Sequence, residues 1–269
     1  MGEVIAIASQ KGGVGKTTTA VNLGASLATL GYHVLLIDID PQGSVASSFG
    51  FTQYDIKAGI LDVFLSDEPI TNAIHPTGQQ NFDLIPTNLW SDDNERRQLV
   101  GVASKVRLKD KLTSIKQSYD FLLIDCPPSL GNLTFNALIA ADSLIIPIQC
   151  EYYALKALGR FLKLTRIIKK ENNPRLRYRG FLLTMVDPRN RLTKIVVEKV
   201  RYTLKGLVFE TMIPRNIRLA EVPYYGQPVI TFDKKCKGAA GYMNLAREIL
   251  GEGGNVVGLA ADKQEVSVV

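Results

Sequence analysis

Cysteine is scarce in this chain: Cys126, Cys150 and Cys236 are the three in 269 residues, far apart and without a C-x-x-C pair. That excludes a zinc site or disulfide framework readable from spacing, and leaves small buried apolar side chains as their expected role. Histidine is scarcer still. His33 abuts an apolar run and His75 precedes Pro76, so neither is assigned to catalysis. No hydrophobic run approaches the roughly 18 to 20 residues of a membrane-spanning helix, and Met1–Ala6 holds too short an apolar stretch for a secretory signal. A cytoplasmic protein is expected. Runs of Pro, Gly or Ser that would mark a linker are missing, and so are internal repeats. One domain over residues 1–250 is therefore expected, followed at 251–269 by a flexible tail with four glycines and no helical period.

What is present is the composition of a folded protein, 46% apolar and 22% charged. The formal charge of +6 is unevenly spread. Residues 1–150 carry 10 Lys/Arg against 15 Asp/Glu, and residues 151–269 carry 22 against 11. A one-sided basic excess favours a polyanionic partner such as nucleic acid, bound through phosphate neutralisation and counterion release.

Apolar runs recur at Val4–Ala8, Val34–Ile37, Phe82–Ile85, Phe121–Ile124, Leu144–Ile148, Phe181–Met185 and Leu207–Phe209. They lack the alternation of half-exposed strands and read as strands buried on both faces. Segments with helical spacing lie at about 16–30, 91–118, 131–141, 152–171, 190–205 and 238–250. Alternating strands and helices predict an α/β fold, a doubly wound, mostly parallel sheet flanked by helices, with ligands at the carboxyl ends of the strands.

The first strand runs directly into Ser9-Gln10-Lys11-Gly12-Gly13-Val14-Gly15-Lys16-Thr17-Thr18-Thr19 and then a helix. Glycines let the backbone curl so that several N–H groups converge on phosphate oxygens, and the helix beginning near Lys16 adds its positive end. In such a loop Lys16 neutralises β- and γ-phosphate charge and Thr17 supplies a hydroxyl for Mg²⁺. The usual pattern has a glycine five residues before Gly15, where this chain has Gln10; it has instead a second lysine, Lys11. A lysine at the start of the loop that points away from its own phosphate pocket is available to a nucleotide held by a second subunit. Dimerisation is expected on that ground.

Lys11-Gly12-Gly13-Val14-Gly15-Lys16-Thr17-Thr18 resembles the deviant Walker A loop of the ParA/MinD superfamily of P-loop NTPases. Asp38-Ile39-Asp40-Pro41-Gln42-Gly43 resembles the ParA switch motif, Phe121–Pro128 its Walker B, and Ile213–Pro223 a stretch typical of short chromosomal ParA proteins of the Soj type. The resemblance covers residues 3–250. It implies an ATPase that uses ATP and Mg²⁺, with Gly12 to Thr18 on the phosphates and with Thr17, Asp40 and Asp125 at the metal. Asp40 and Asp125 each follow an apolar strand and so reach the phosphate edge of a parallel sheet, where Mg²⁺ is held largely through its water shell. By resemblance Asp40 also arranges the attacking water, whereas Asp38 is structural. A helix cap before Pro41 is the other reading of Asp40. The resemblance further carries Lys11 across a dimer interface to the partner's phosphate, Pro214 against the adenine and Asn216 near its polar edge.

The family also binds DNA. Lys199, Arg201, Lys205, Arg218, Lys234, Lys235 and Lys237 lie in the half that resembles the ParA DNA-binding surface, and are expected to meet duplex backbone without sequence preference. The implied role is segregation of chromosomal or plasmid DNA at the nucleoid by an ATP-dependent homodimer, with a ParB-type protein that stimulates hydrolysis. A MinD-like regulator or a cargo-positioning ATPase adaptor is the alternative. The MinD form needs a basic amphipathic C-terminal helix, and residues 251–269 hold one Lys, four Gly and three acidic residues, so no membrane partner is expected.

Overall fold

A computed structural model describes residues 2–65, 69–88, 107–151 and 154–252. Seven strands form one sheet: β1 (Glu3–Ile7), β2 (Val34–Asp38), β3 (His75–Pro76), β4 (Phe82–Ile85), β5 (Phe121–Asp125), β6 (Ser143–Gln149) and β7 (Arg177–Thr184). Their order is β3-β4-β2-β5-β1-β6-β7, all parallel except the two-residue β3, which runs antiparallel to β4 at the edge. All five residues of β2 and of β5 are buried. The reason is visible in β1, where Val4 and Ala6 enter the core on one face of the sheet and Ile5 and Ile7 the core on the other. A strand that feeds two cores has no polar face to alternate with.

Helix α1 (Lys16–Thr29) follows β1; α2 (Ser44–Ser47) and α3 (Ile60–Leu65) follow β2. Then come α4 (Arg107–Thr113), α5 (Asn132–Ala140), α6 (Ala154–Glu171), α7 (Arg191–Thr203), α8 (Ile217–Tyr225), α9 (Val229–Phe232) and α10 (Lys237–Leu250). Five of the helical segments expected from spacing thus have a counterpart within a few residues. Of the segment 91–118, residues 91–106 lie outside the described residues, as does 253–269 of the expected tail. Helix α10 closes on Gly251 in the left-handed conformation, φ 78°.

One expected strand is not a strand of the sheet. Leu207–Phe209 makes an isolated bridge through Val208 to Phe181, with Phe181 N–H donating to Leu207 O at 2.8 Å and Phe209 N–H to Phe181 O at 3.1 Å. The run ends because the next two amides, of Glu210 and Thr211, donate instead to the Glu248 carboxylate, at 2.7 and 2.9 Å. Helix α8 escapes the periodicity because Pro223 sits inside it.

The helix behind the phosphate loop approaches the sheet through a glycine. A methyl group at Gly24 would lie 2.5 Å from Phe82 Cζ and 3.3 Å from Leu123 Cδ1. Alanine there is preferred in a helix by about 1 kcal/mol, yet overpacking of this kind costs about 1–3 kcal/mol. Gly24→Ala is expected to lower the urea midpoint of unfolding, and an unchanged or raised midpoint would show that α1 can back away from the sheet.

Candidate nucleotide site

Three strand ends build the site. In the parallel ladders Ile7 and Asp38 both pair with Asp125, so β5 delivers its carboxylate between the end of β1 and the end of β2. The loop after β1 curls through left-handed glycines at Gly13 (φ 71°) and Gly15 (φ 88°), and Gly15 is the N-cap of α1. Loop amides and the helix N-terminus therefore face the carboxyl edge of the sheet, the arrangement that binds phosphate. Across that edge Thr184 Oγ1 donates to Val14 O at 2.8 Å and ties β7 to the loop. Asn22 adds a second clamp: its Nδ2 donates to Thr18 O at 2.8 Å and its Oδ1 accepts from Val229 N–H at 2.7 Å. Sequence reasoning misses both clamps. A hydroxyl ending an apolar run is the one signal for Thr184, and nothing local marks Asn22 within α1.

The two lysines of the loop diverge. Lys16 is 6% exposed and its Nζ donates to Lys11 O at 3.5 Å, folded over the loop backbone. Lys11 turns outward, donating to Gln149 Oε1 at 3.3 Å and pairing with the Glu151 carboxylate beyond the end of β6. Thr17 Oγ1 donates to Asp125 Oδ2 at 2.6 Å.

Asp125 is fully buried, and burial pushes its pKa up to about 7. The Thr17 hydrogen bond and Lys16 pull it down while Asp40 pushes it up. Its other oxygen, Oδ1, is buried with no hydrogen-bond partner. A carboxylate oxygen left without a donor, next to a threonine hydroxyl at a phosphate loop, fits a hard oxygen-seeking cation such as Mg²⁺. Among the described residues no three His, Cys, Asp or Glu side chains converge as a protein-only cage, and Mg²⁺ held by one or two carboxylates plus phosphate and water needs none. Asp38 is buried too and its pKa is raised well above the usual range, by burial first and by Asp125 next. It accepts from Asp40 N–H at 2.9 Å and Val45 N–H at 3.2 Å, bracing the turn after β2. Asp40 is half-buried and accepts from Gln42 N–H at 3.0 Å, an Asx turn; α2 begins later, with Gly43 at its N-cap.

Pro214 and Asn216 come to the same edge from the far side. Ile213 N–H donates to Leu183 O and Val186 N–H to Ile213 O, so the Ile213–Arg215 stretch runs beside the end of β7. Asn216 caps α8 by accepting from Arg218 N–H at 2.9 Å, which leaves its amide nitrogen for a ligand. Of the expected DNA residues, Arg201 pairs with Glu210 at 2.8 Å and Arg218 with Glu221 at 2.9 Å and Asp233 at 3.5 Å. Lys199, Lys205, Lys234, Lys235 and Lys237 are all exposed and form no ion pair among the described residues; Lys205 lies over the Tyr202 ring.

A family described as AAA domain matches residues 2–178. The chain is 46% identical over 253 residues to the sporulation initiation inhibitor protein Soj of Bacillus subtilis (strain 168), covering 94% of this chain and 100% of that protein. It is 45% identical over 250 residues to the chromosome partitioning protein ParA of Myxococcus xanthus (strain DK1622), covering 93% and 88%. The chain belongs to the ParA/Soj family of partitioning ATPases. Among solved structures, cobyrinic acid a,c-diamide synthase from Mycobacterium smegmatis with bound ADP and magnesium superposes with TM-score 0.81, 33% identity and coverage of 96% and 98%. The septum site-determining protein MinD of Pyrococcus horikoshii OT3, complexed with Mg-ADP, gives 0.77, 26%, 93% and 96%. The ParA/Soj fold is thus shared across proteins of several names.

The raised pKa of Asp125 makes the stability of the fold depend on pH. Between the unfolded carboxylate range near pH 4 and about pH 7 the folded chain holds a proton that the unfolded chain has released. Stability from this group is therefore full below about pH 4 and is lost as pH rises through 7. Asp125→Asn removes the ionisable group. Its melting temperature without nucleotide is expected to exceed wild type at pH 8 and to match it near pH 4; an equal offset at both pH values would contradict the assignment.

Proposed function

We propose that this chain hydrolyses ATP, pairs with a second copy of itself when ATP is bound, and in that form holds duplex DNA for segregation. A ParB-type protein is the partner that stimulates hydrolysis. The observation that carries this reading is the divergence of the two loop lysines: Lys16 stays over its own loop while Lys11 faces outward beside Gln149.

The residues divide the work by position. Loop amides from Gly12 to Thr18 bind the phosphate oxygens, and Lys16 neutralises charge that builds there during transfer. Thr17 and Asp125, with Asp40 through water, would hold Mg²⁺, which would supply positive charge to screen the phosphates. Asp40 is anchored by its Asx turn at the mouth of the site and orients the attacking water. Pro214 packs against the base and Asn216 offers its free amide nitrogen to the polar edge. Lys11 reaches the phosphates of the second copy, making the dimer depend on ATP. Pairing two copies sums two weak patches of Lys199, Lys205, Lys234, Lys235 and Lys237, with Arg201 and Arg218 joining only where phosphate displaces their carboxylates. Two patches on one duplex bind far more tightly than one. A cargo-positioning adaptor would share the nucleotide site, and the unpaired lysines favour DNA over it.

Lys16→Ala is expected to weaken nucleotide binding by about 10- to 100-fold, the range for removing a charge-assisted bond. Lys11→Ala is expected to bind nucleotide normally but elute as a single chain with ATP on gel filtration. A Lys11→Ala protein that dimerises and turns over as wild type does would defeat the reading. Changing Lys234, Lys235 and Lys237 to Glu should weaken ATP-dependent binding to random duplex. The salt slope of log K should also flatten by about 0.9 for each phosphate no longer neutralised; binding that ignores salt or nucleotide would contradict the DNA surface.

A further inference from the structure

The outward lysine is not loose. Gln149 is the last residue of β6, and Glu151 N–H donates back to Gln149 O at 2.8 Å, a tight turn that brings both side chains to the rim of the phosphate loop. The floor beneath is held from two sides: Cys150 N–H donates to Thr184 O at 3.4 Å, and the Thr184 hydroxyl donates to Val14 O at 2.8 Å. Against this fixed edge Lys11 Nζ takes one neutral acceptor, Gln149 Oε1, and one anionic acceptor, the Glu151 carboxylate. Among the described residues it is the sole ion pair made by a residue of the phosphate loop, and Glu151 makes no other.

As a stabiliser this pair contributes little, because its side chains are 35% and 52% exposed. Its effect falls on Lys11 itself. A lysine is a compact charge on a flexible four-carbon stem, and a carboxylate on a braced turn both narrows its positions and cancels its charge.

We propose that Glu151, assisted by Gln149, is a positioning residue that holds Lys11 within its own protomer until phosphate charge on a second copy displaces the carboxylate. This rests on the dimer reading above and deepens it. Lys11 has a local anion already, so a second copy's nucleotide must present more negative charge than Glu151 does. ATP, with its γ-phosphate, meets that condition better than ADP. The Lys11–Glu151 pair thus sets the threshold at which nucleotide state becomes oligomeric state.

The test is sedimentation of wild type, Glu151→Gln, Glu151→Asp and Gln149→Leu across an ATP titration and in saturating ADP. Glu151→Gln keeps size and polarity at an exposed position. Its dimer association constant at a fixed ATP concentration should rise about 2- to 30-fold, the range for two exposed ion pairs broken at once, and its dimers should become detectable with ADP. Glu151→Asp should stay near wild type, and Gln149→Leu should shift the same way as Glu151→Gln but less. In a Lys11→Ala background Glu151→Gln should change nothing, because the carboxylate acts only through the lysine. Wild-type dimers together with an unshifted or weakened Glu151→Gln response would overturn the role of Glu151 alone. A wild type that stays single with ATP would remove the dimer reading, and this proposal with it.

Discussion

A carboxylate with no exposed surface, Asp125, stands where three parallel strands end, and the nucleotide site is arranged around the difficulty of keeping it there. One oxygen takes the Thr17 hydroxyl and the other has nothing. Burial holds its pKa at about 7 against the pull of that hydroxyl. A second buried carboxylate, Asp38, lies directly across the ladder and escapes the same problem only in part, through the amides of Asp40 and Val45. Such an edge is poor for folding and good for binding, because a divalent cation or a cationic neighbour relieves what the protein leaves unsatisfied.

The strand order makes that edge possible. With β5 between β1 and β2, the phosphate loop and the turn after β2 flank one carboxylate, and no loop has to cross the sheet to meet another. Beyond β1, the succession β6-β7 places the Gln149–Glu151 turn and Thr184 on the opposite flank of the loop. The loop is therefore gripped from both sides by polar side chains at strand ends, each contributing one hydrogen bond. Small individual bonds of about 1 kcal/mol suffice, since the strands that carry them are already immobile in two apolar cores.

Charge is organised on the same plan. Anionic groups concentrate where cation and phosphate would meet, and Lys199, Lys205, Lys234, Lys235 and Lys237, with no carboxylate partner among the described residues, lie on the later helices and their loops. Two arginines of that surface are already engaged. Arg201 and Arg218 serve as braces for neighbouring loops, through Glu210 in one case and Glu221 and Asp233 in the other. A residue count treats them as free cations, and the folded chain does not.

Much of this protein was decided locally. Buried parallel strands announce themselves as unbroken apolar runs, because a strand packed on both faces tolerates no polar alternation, and the glycines of the loop act through local backbone conformation. The parallel direction of the strands was implicit in the alternation of elements, and so was the place of Asp40 and Asp125 at their carboxyl ends. Other features arose only when distant segments met. Leu207–Phe209 has the composition of a strand, yet Glu248 takes the next two amides; Pro223 hides a helix whose cap and packing hold it regardless. The order that sets β5 between β1 and β2, the Glu151 partner of Lys11, 140 residues away along the chain, and the orphan oxygen of Asp125 belong to the tertiary structure alone. Hydrogen bonds and ion pairs depend on which groups converge in space, and no residue type or spacing carries that distance.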